Sequence, residues 1–129
     1  MAIAHKYAER ALQVARDYGL TQWHGYGLVL HGRVLAGQGH YGEGITHLRE
    51  GLSILLASGA MILHSTGLSW LAWALWHHGQ VEEALQVLNE ALHITQDKGL
   101  LLSTLQLWLL KGEILLSVGR ARMADSRGQ

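Results

Sequence analysis

Residues 79–99 read GQVEEALQVLNEALHITQDKG, and this stretch decides the fold. Val81, Ala84, Leu85, Val87, Leu88, Ala91, Leu92 and Ile94 carry the i, i+3, i+4, i+7 spacing of one helical face. Glu82, Glu83, Gln86, Asn89, Glu90 and Asp97 fill most of the other positions. Glu82 and Glu83 sit in the first turn and Lys98 at the end, the distribution that the helix dipole favours. Gly79 and Gly99 bracket the stripe. A glycine just past a helix takes the positive φ that other residues adopt only at a cost.

Outward from this helix, the same punctuation repeats. Gly19, Gly59 and Gly99 stand forty residues apart, and Gly39, Gly79 and Gly119 form a second series offset by twenty. Leu12, Leu52 and Leu92 recur at that lag, as do Leu35, Leu75 and Leu115, Glu43 and Glu83, Leu48 and Leu88, and Ile54 and Ile94. Gly32, Ala72 and Gly112 form a small-residue series. A forty-residue period with two glycine marks is a repeat of two helices. The pattern predicts six helices near residues 2–18, 21–37, 41–58, 61–78, 81–97 and 101–118, each ended by a glycine. The expected fold is all-α, built of antiparallel helix pairs. Close helix packing accounts for Gly32 and for Ala84 and Ala91, where a larger side chain would overpack. Gly25, inside the second helix, has no counterpart that explains it.

The chain has 129 residues, 49% hydrophobic and 16% charged, which supports one folded domain. Ten basic residues balance ten acidic ones, which argues against nucleic-acid or membrane-surface binding by bulk charge. Cysteine is absent, so disulfides, thiol catalysis and cysteine metal sites are excluded. Proline is absent too, and glycine takes over the role of helix stop. The start of the chain mixes His5, Lys6, Glu9 and Arg10 into its apolar residues and does not read as a secretory signal. Residues 51–81 lack Asp, Glu, Lys and Arg, but Ser58-Gly59 and His64-Ser65-Thr66-Gly67 split the run, so a buried helix pair is expected rather than a membrane span. The expected location is cytoplasmic.

His78-Gly79-Gln80-Val81-Glu82-Glu83-Ala84-Leu85, followed by Leu88, Ala91 and Leu92, resembles the middle of a tetratricopeptide repeat. Gln38-Gly39-His40-Tyr41-Gly42-Glu43-Gly44-Ile45 is a looser copy, with Gly44 and Gly51 in place of the usual alanines. Glu50-Gly51-Leu52, Ser58-Gly59-Ala60, Glu90-Ala91-Leu92 and 110–116 are similar to the long-helix repeat arrays near the C-termini of large bacterial regulators carrying a cyclase or ATPase module. The resemblance covers residues 8–118. The period departs from it, at forty residues against about thirty-four, and no cyclase or ATPase segment is present, so no activity carries over. What it implies is a right-handed α-solenoid over residues 1–119, about three helix pairs truncated at both ends, with a polar tail over 120–129. The implied role is a non-catalytic protein-interaction module.

The resemblance further implies that the first helix of each pair lines a concave face. Carried over from the small position, the groove residues are Tyr26 and Arg33, then Ser69, Trp73, Trp76 and His77, then Gln106 and Glu113. Burial in the core competes with this role for Trp73, and core is the expected place of Trp70. The occupant would be a protein or peptide; a small apolar ligand held by the Trp and His side chains is the alternative.

Nine histidines raise the question of a metal, but no two lie at i, i+3 or i, i+4. Glu43 with His47, and His93 with Asp97, offer two ligands each, so neither metal nor cofactor is expected. His24 and His64 match at the repeat lag and should occupy equivalent places. No nucleophile–base arrangement or phosphate-binding loop occurs, and no enzymatic role is expected. The first helix turns His5, Lys6, Glu9, Arg10, Gln13, Arg16 and Asp17 toward water. The last helix is apolar on most sides, and Leu102, Leu105, Trp108, Leu109 and Leu116 are expected to form an exposed strip, suited to a homodimer through this helix.

Overall fold

The computed structural model describes residues 2–17 and 21–127. They form six α-helices: α1 (Ala2–Asp17), α2 (Thr21–Gly37), α3 (Tyr41–Ser58), α4 (Met61–His77), α5 (Val81–Asp97) and α6 (Leu101–Arg127). The all-α expectation holds, with no strand among the described residues.

Four turns share one construction. Gly39, Gly59, Gly79 and Gly99 have φ of 90°, 79°, 87° and 70°. In each turn the amide after the glycine donates five residues back: His40 to Leu35 at 2.9 Å, Ala60 to Leu55 at 3.2 Å, Gln80 to Leu75 at 2.8 Å and Leu100 to Thr95 at 2.8 Å. Each glycine amide also bonds three residues back, to Ala36, Leu56, Trp76 and Gln96. This is the Schellman pattern, which satisfies the orphan carbonyls at a helix end. Gly19 lies outside the described residues. Gly119 departs from the expectation: it sits inside α6, which runs on through Arg120-Ala121-Arg122-Met123-Ala124 to Arg127. These residues are good helix formers, and residues 119–125 are exposed. The described part of the expected tail is therefore helix.

Each helix packs on its neighbours in sequence; α2 also meets α4, and α4 meets α6. No such approach joins α1 to α3 or α3 to α5 among the described residues, although the exposed Arg49 of α3 forms an ion pair with Glu83 of α5. The apolar core runs from Val29 and Ala36 through Leu48, Leu55, Leu75 and Leu88 to Leu107 and Ile114.

The closest helix pair is α2 with α3. A Cβ built on Gly32 would lie 2.6 Å from the carbonyl oxygen of Gly44, and one on Gly44 would lie 2.6 Å from that of Gly32. Two turns along, a Cβ on Gly51 would meet the Gly25 oxygen at 2.6 Å. The backbones touch here, which accounts for Gly25: it faces Gly51 of the next helix. At the forty-residue lag, Ser65, Ala72, Ala84 and Ala91 replace these four glycines, and all four are buried. Gly112 differs from its counterparts, because nothing lies within 4 Å of its Cβ position. No helix packs on it as α3 packs on Gly32.

His24 and His64 do share an environment: each has a buried Nδ1 with no hydrogen-bond partner. Burial holds the His64 imidazole below its ordinary 6.5, against an upward pull from the Glu90 charge on α5. The unfolded chain takes up a proton there near 6.5 and the folded chain does not, so this stability is complete above 6.5 and is lost as pH falls below it. The melting temperature should fall between about pH 7 and about pH 5, and less steeply in His64→Leu. Equal slopes in the two proteins would locate the acid sensitivity elsewhere.

Candidate functional site, a groove across α2, α4 and α6

An open groove of about 640 Å³ crosses the even-numbered helices. Its lining is Arg33, Ala36 and Gly37 from α2, Ser69, Trp70 and Trp73 from α4, and Gln106 and Leu110 from α6. The period explains this convergence. Arg33 and Trp73 are forty residues apart and so occupy the same register on successive helices of one layer.

Four of the expected residues, Arg33, Ser69, Trp73 and Gln106, are brought together. Three more adjoin them. Tyr26 lies beside Trp70, with ring centroids 6.4 Å apart. The His77 ring stacks on Trp73 at 4.0 Å and 27°, and Trp76 meets His77 edge-on at 4.5 Å. His77 Nδ1–H donates to the Trp73 carbonyl at 2.9 Å, which leaves the lone pair on Nε2. Glu113 is exposed on α6 and is not part of the lining.

Trp70, expected in the core, is a groove residue instead. It is only partly buried, and the Arg33 guanidinium lies 4.7 Å from its ring centroid. Residues three apart on a helix are neighbours on its surface, so the Trp70–Trp73 step was the available signal. Tyr41 was also missed; it sits 6.4 Å from Trp73 and 6.3 Å from His77, ring to ring. It comes from α3, and only the packing of α3 beside α4 brings it there.

Arg33 is the charged residue of the lining. A guanidinium over an indole face gains about 0.5–1 kcal/mol where exposed, and its planar fork of N–H donors can take a carboxylate in bidentate fashion. Trp70 and Trp73 beside it offer an apolar surface. The arrangement can bind an acid next to an apolar group; among the lining residues no nucleophile–base pair is formed.

On the far side of α2, side chains of three helices meet. His31 Nε2 lies 3.1 Å from His5 Nδ1, His5 Nε2 lies 3.0 Å from Glu9, and the His47 ring stands edge-on to His31 at 4.8 Å. Burial lowers the His31 pKa, and His47 and His5 lower it further, against Glu9 and Glu43. Of the α1 residues expected to face water, His5 is thus half-buried against α2.

The strip expected on α6 is exposed: Leu102 77%, Leu105 51%, Trp108 49%, Leu109 70% and Leu116 56%. Among the described residues of this helix Leu107 and Ile114 are the fully buried ones, on the side toward α4 and α5. The segment 51–81 is two helices split at Gly59, as expected. Among the described residues one helix, α6 over Leu101–Asp125, is long and apolar enough to cross a membrane, by length and composition only.

No protein-family model, curated protein or solved structure matches the chain.

Proposed function

We propose that the chain is a non-catalytic, α-solenoid interaction module of tetratricopeptide-like, right-handed arrangement, acting in the cytoplasm as part of a bacterial signalling or transcriptional regulator. The partner is a peptide segment carrying an acidic residue beside an apolar one. The observation that carries this is Arg33 lying over the Trp70 ring beside Trp73 in a groove built across three helices of one layer. Direct contact of α2 with α4 and α4 with α6, without the same approach among the odd-numbered helices, supports a stack curved toward the groove. Neither nucleic acid nor a membrane is a partner in this reading. The uncovered face of α6 is a second contact surface, for another copy of the chain.

Selection from a random peptide library on the immobilised chain tests the groove. Enriched peptides should share an acidic residue next to an aliphatic or aromatic one. Arg33→Ala should weaken them about tenfold, the loss of one charge-assisted contact, with the melting temperature nearly unchanged. Arg33→Glu should shift enrichment to basic peptides. Enrichment indifferent to both changes, or a parallel loss of stability, would sink the proposal. The groove volume also falls within the range of small-molecule sites. Tryptophan quenching by a metabolite panel, abolished in Trp73→Leu, would favour that second reading.

A further inference from the structure

We propose that His5, Glu9 and His31 bind a late first-row divalent cation of the zinc class, with His47 beside them as the source of a fourth ligand. One ligand atom from each of the first three lies within 4.8 Å of the other two. His5 and Glu9 are i, i+4 on α1 and share a face, the spacing by which one helix supplies two ligands. His31 comes from α2 and closes the set across the helix interface.

The distances suit such an ion. Ligands about 2.0–2.1 Å from a tetrahedral zinc stand about 3.3 Å from one another. The His5–Glu9 pair, at 3.0 Å, is already at that edge length. His31 approaches the other nitrogen of His5, Nδ1, so the remaining separations, within 4.8 Å, would have to shorten by side-chain rotation; the Glu9 side chain, 59% exposed, has solvent to turn in. His47 is prepared in the way metal-ligating histidines are. Its Nδ1–H donates to the Glu43 carbonyl at 2.9 Å, and a carbonyl can only accept, so the lone pair is on Nε2.

The site would act as a clip. Among the described residues, Ala8 and Leu12 are the buried apolar residues of α1, neither belongs to the continuous core of the other helices, and α1 packs on α2 and on no other helix. An ion bridging His5 and Glu9 to His31 would tie α1 to the rest of the chain, with binding energy expressed as folding energy. None of its ligands lines the groove, so the two proposals stand or fall separately.

Calorimetric titration of the full chain with zinc chloride tests this, together with the visible absorption of cobalt(II) as a substitute. One ion per chain is expected, with cobalt bands of a four- or five-coordinate site and slower amide exchange in α1. Glu9→Gln and His31→Gln should each weaken binding about tenfold or more, while His93→Gln, on an exposed residue of α5, should leave it unchanged. Glu9 is exposed, so its variant tests the ligand set without disturbing the fold. The absence of zinc binding would overturn the proposal. So would binding that survives both Glu9→Gln and His31→Gln, which would mark adventitious uptake by surface histidines.

Discussion

Gly44→Ala is expected to lose about 1–3 kcal/mol of folding stability, although the change adds one methyl group and improves helix propensity. The methyl would sit 2.6 Å from the Gly32 carbonyl oxygen and 2.9 Å from the Ala36 nitrogen. Both are backbone atoms, so relief requires moving one helix off the other, which strips contact from Leu48 and Val29 in the buried core. Gly51→Ala meets the Gly25 oxygen in the same way. Gly112→Ala has the opposite sign. Its Cβ would meet nothing within 4 Å in the chain itself, so in a monomer held apart by Leu105→Glu with Leu109→Glu only propensity acts, for a gain of up to about 1 kcal/mol. Chemical denaturation of the three variants decides it. Equal behaviour of Gly44→Ala and Gly112→Ala would show that α2 and α3 do not approach as described.

Sedimentation at micromolar concentration should show a dimer, and Leu105→Glu with Leu109→Glu should convert it to a helical monomer. Leu102, Leu105, Leu109, Gly112, Leu116, Gly119 and Met123 alternate at three- and four-residue steps, the spacing of a coiled-coil seam. This seam lies opposite the stripe of Leu107, Leu110, Ile114 and Val118 that packs on the core. Gly112 and Gly119 are two turns apart, like Gly25 and Gly32 or Gly44 and Gly51, so a partner helix can approach closely. Each leucine buried contributes about 1.5–3 kcal/mol, and four per chain offset the roughly 4–15 kcal/mol cost of association. A clean monomer that also fails to bind a hydrophobic dye would refute the exposed seam.

The helical plan was legible because one residue type does one job at regular intervals. A left-handed cap at the ends of α2, α3, α4 and α5 needs glycine, and without proline no competing stop obscures the rhythm. Gly119 misled for the same reason: a glycine marks a stop only if the chain beyond it has somewhere to pack, and residues 120–125 are exposed. Arg33 and Trp73 were legible through the period. Trp70 was not, because a half-buried indole under a guanidinium reads like a core indole in sequence. The His5, Glu9 and His31 cluster was the least accessible. Its i, i+4 half lies in plain view at the start of α1, but its third member depends on how α1 rotates against α2. Gly25 likewise gained its meaning only from Gly51.

The four repeated turns have a consequence for how the molecule is assembled. Among the described residues no helix touches one more than two places away in the chain, so each of these contacts closes a loop of a few tens of residues at most. Such a chain can begin folding at any adjacent pair, and the glycine-locked α2 and α3 are the natural seed. Growth then proceeds outward one helix at a time, and loss of order runs inward from the ends. The molecule is graded along its length, firm in the middle and looser toward α1 and α6, the two helices to which the proposed ion and the proposed second copy would each attach.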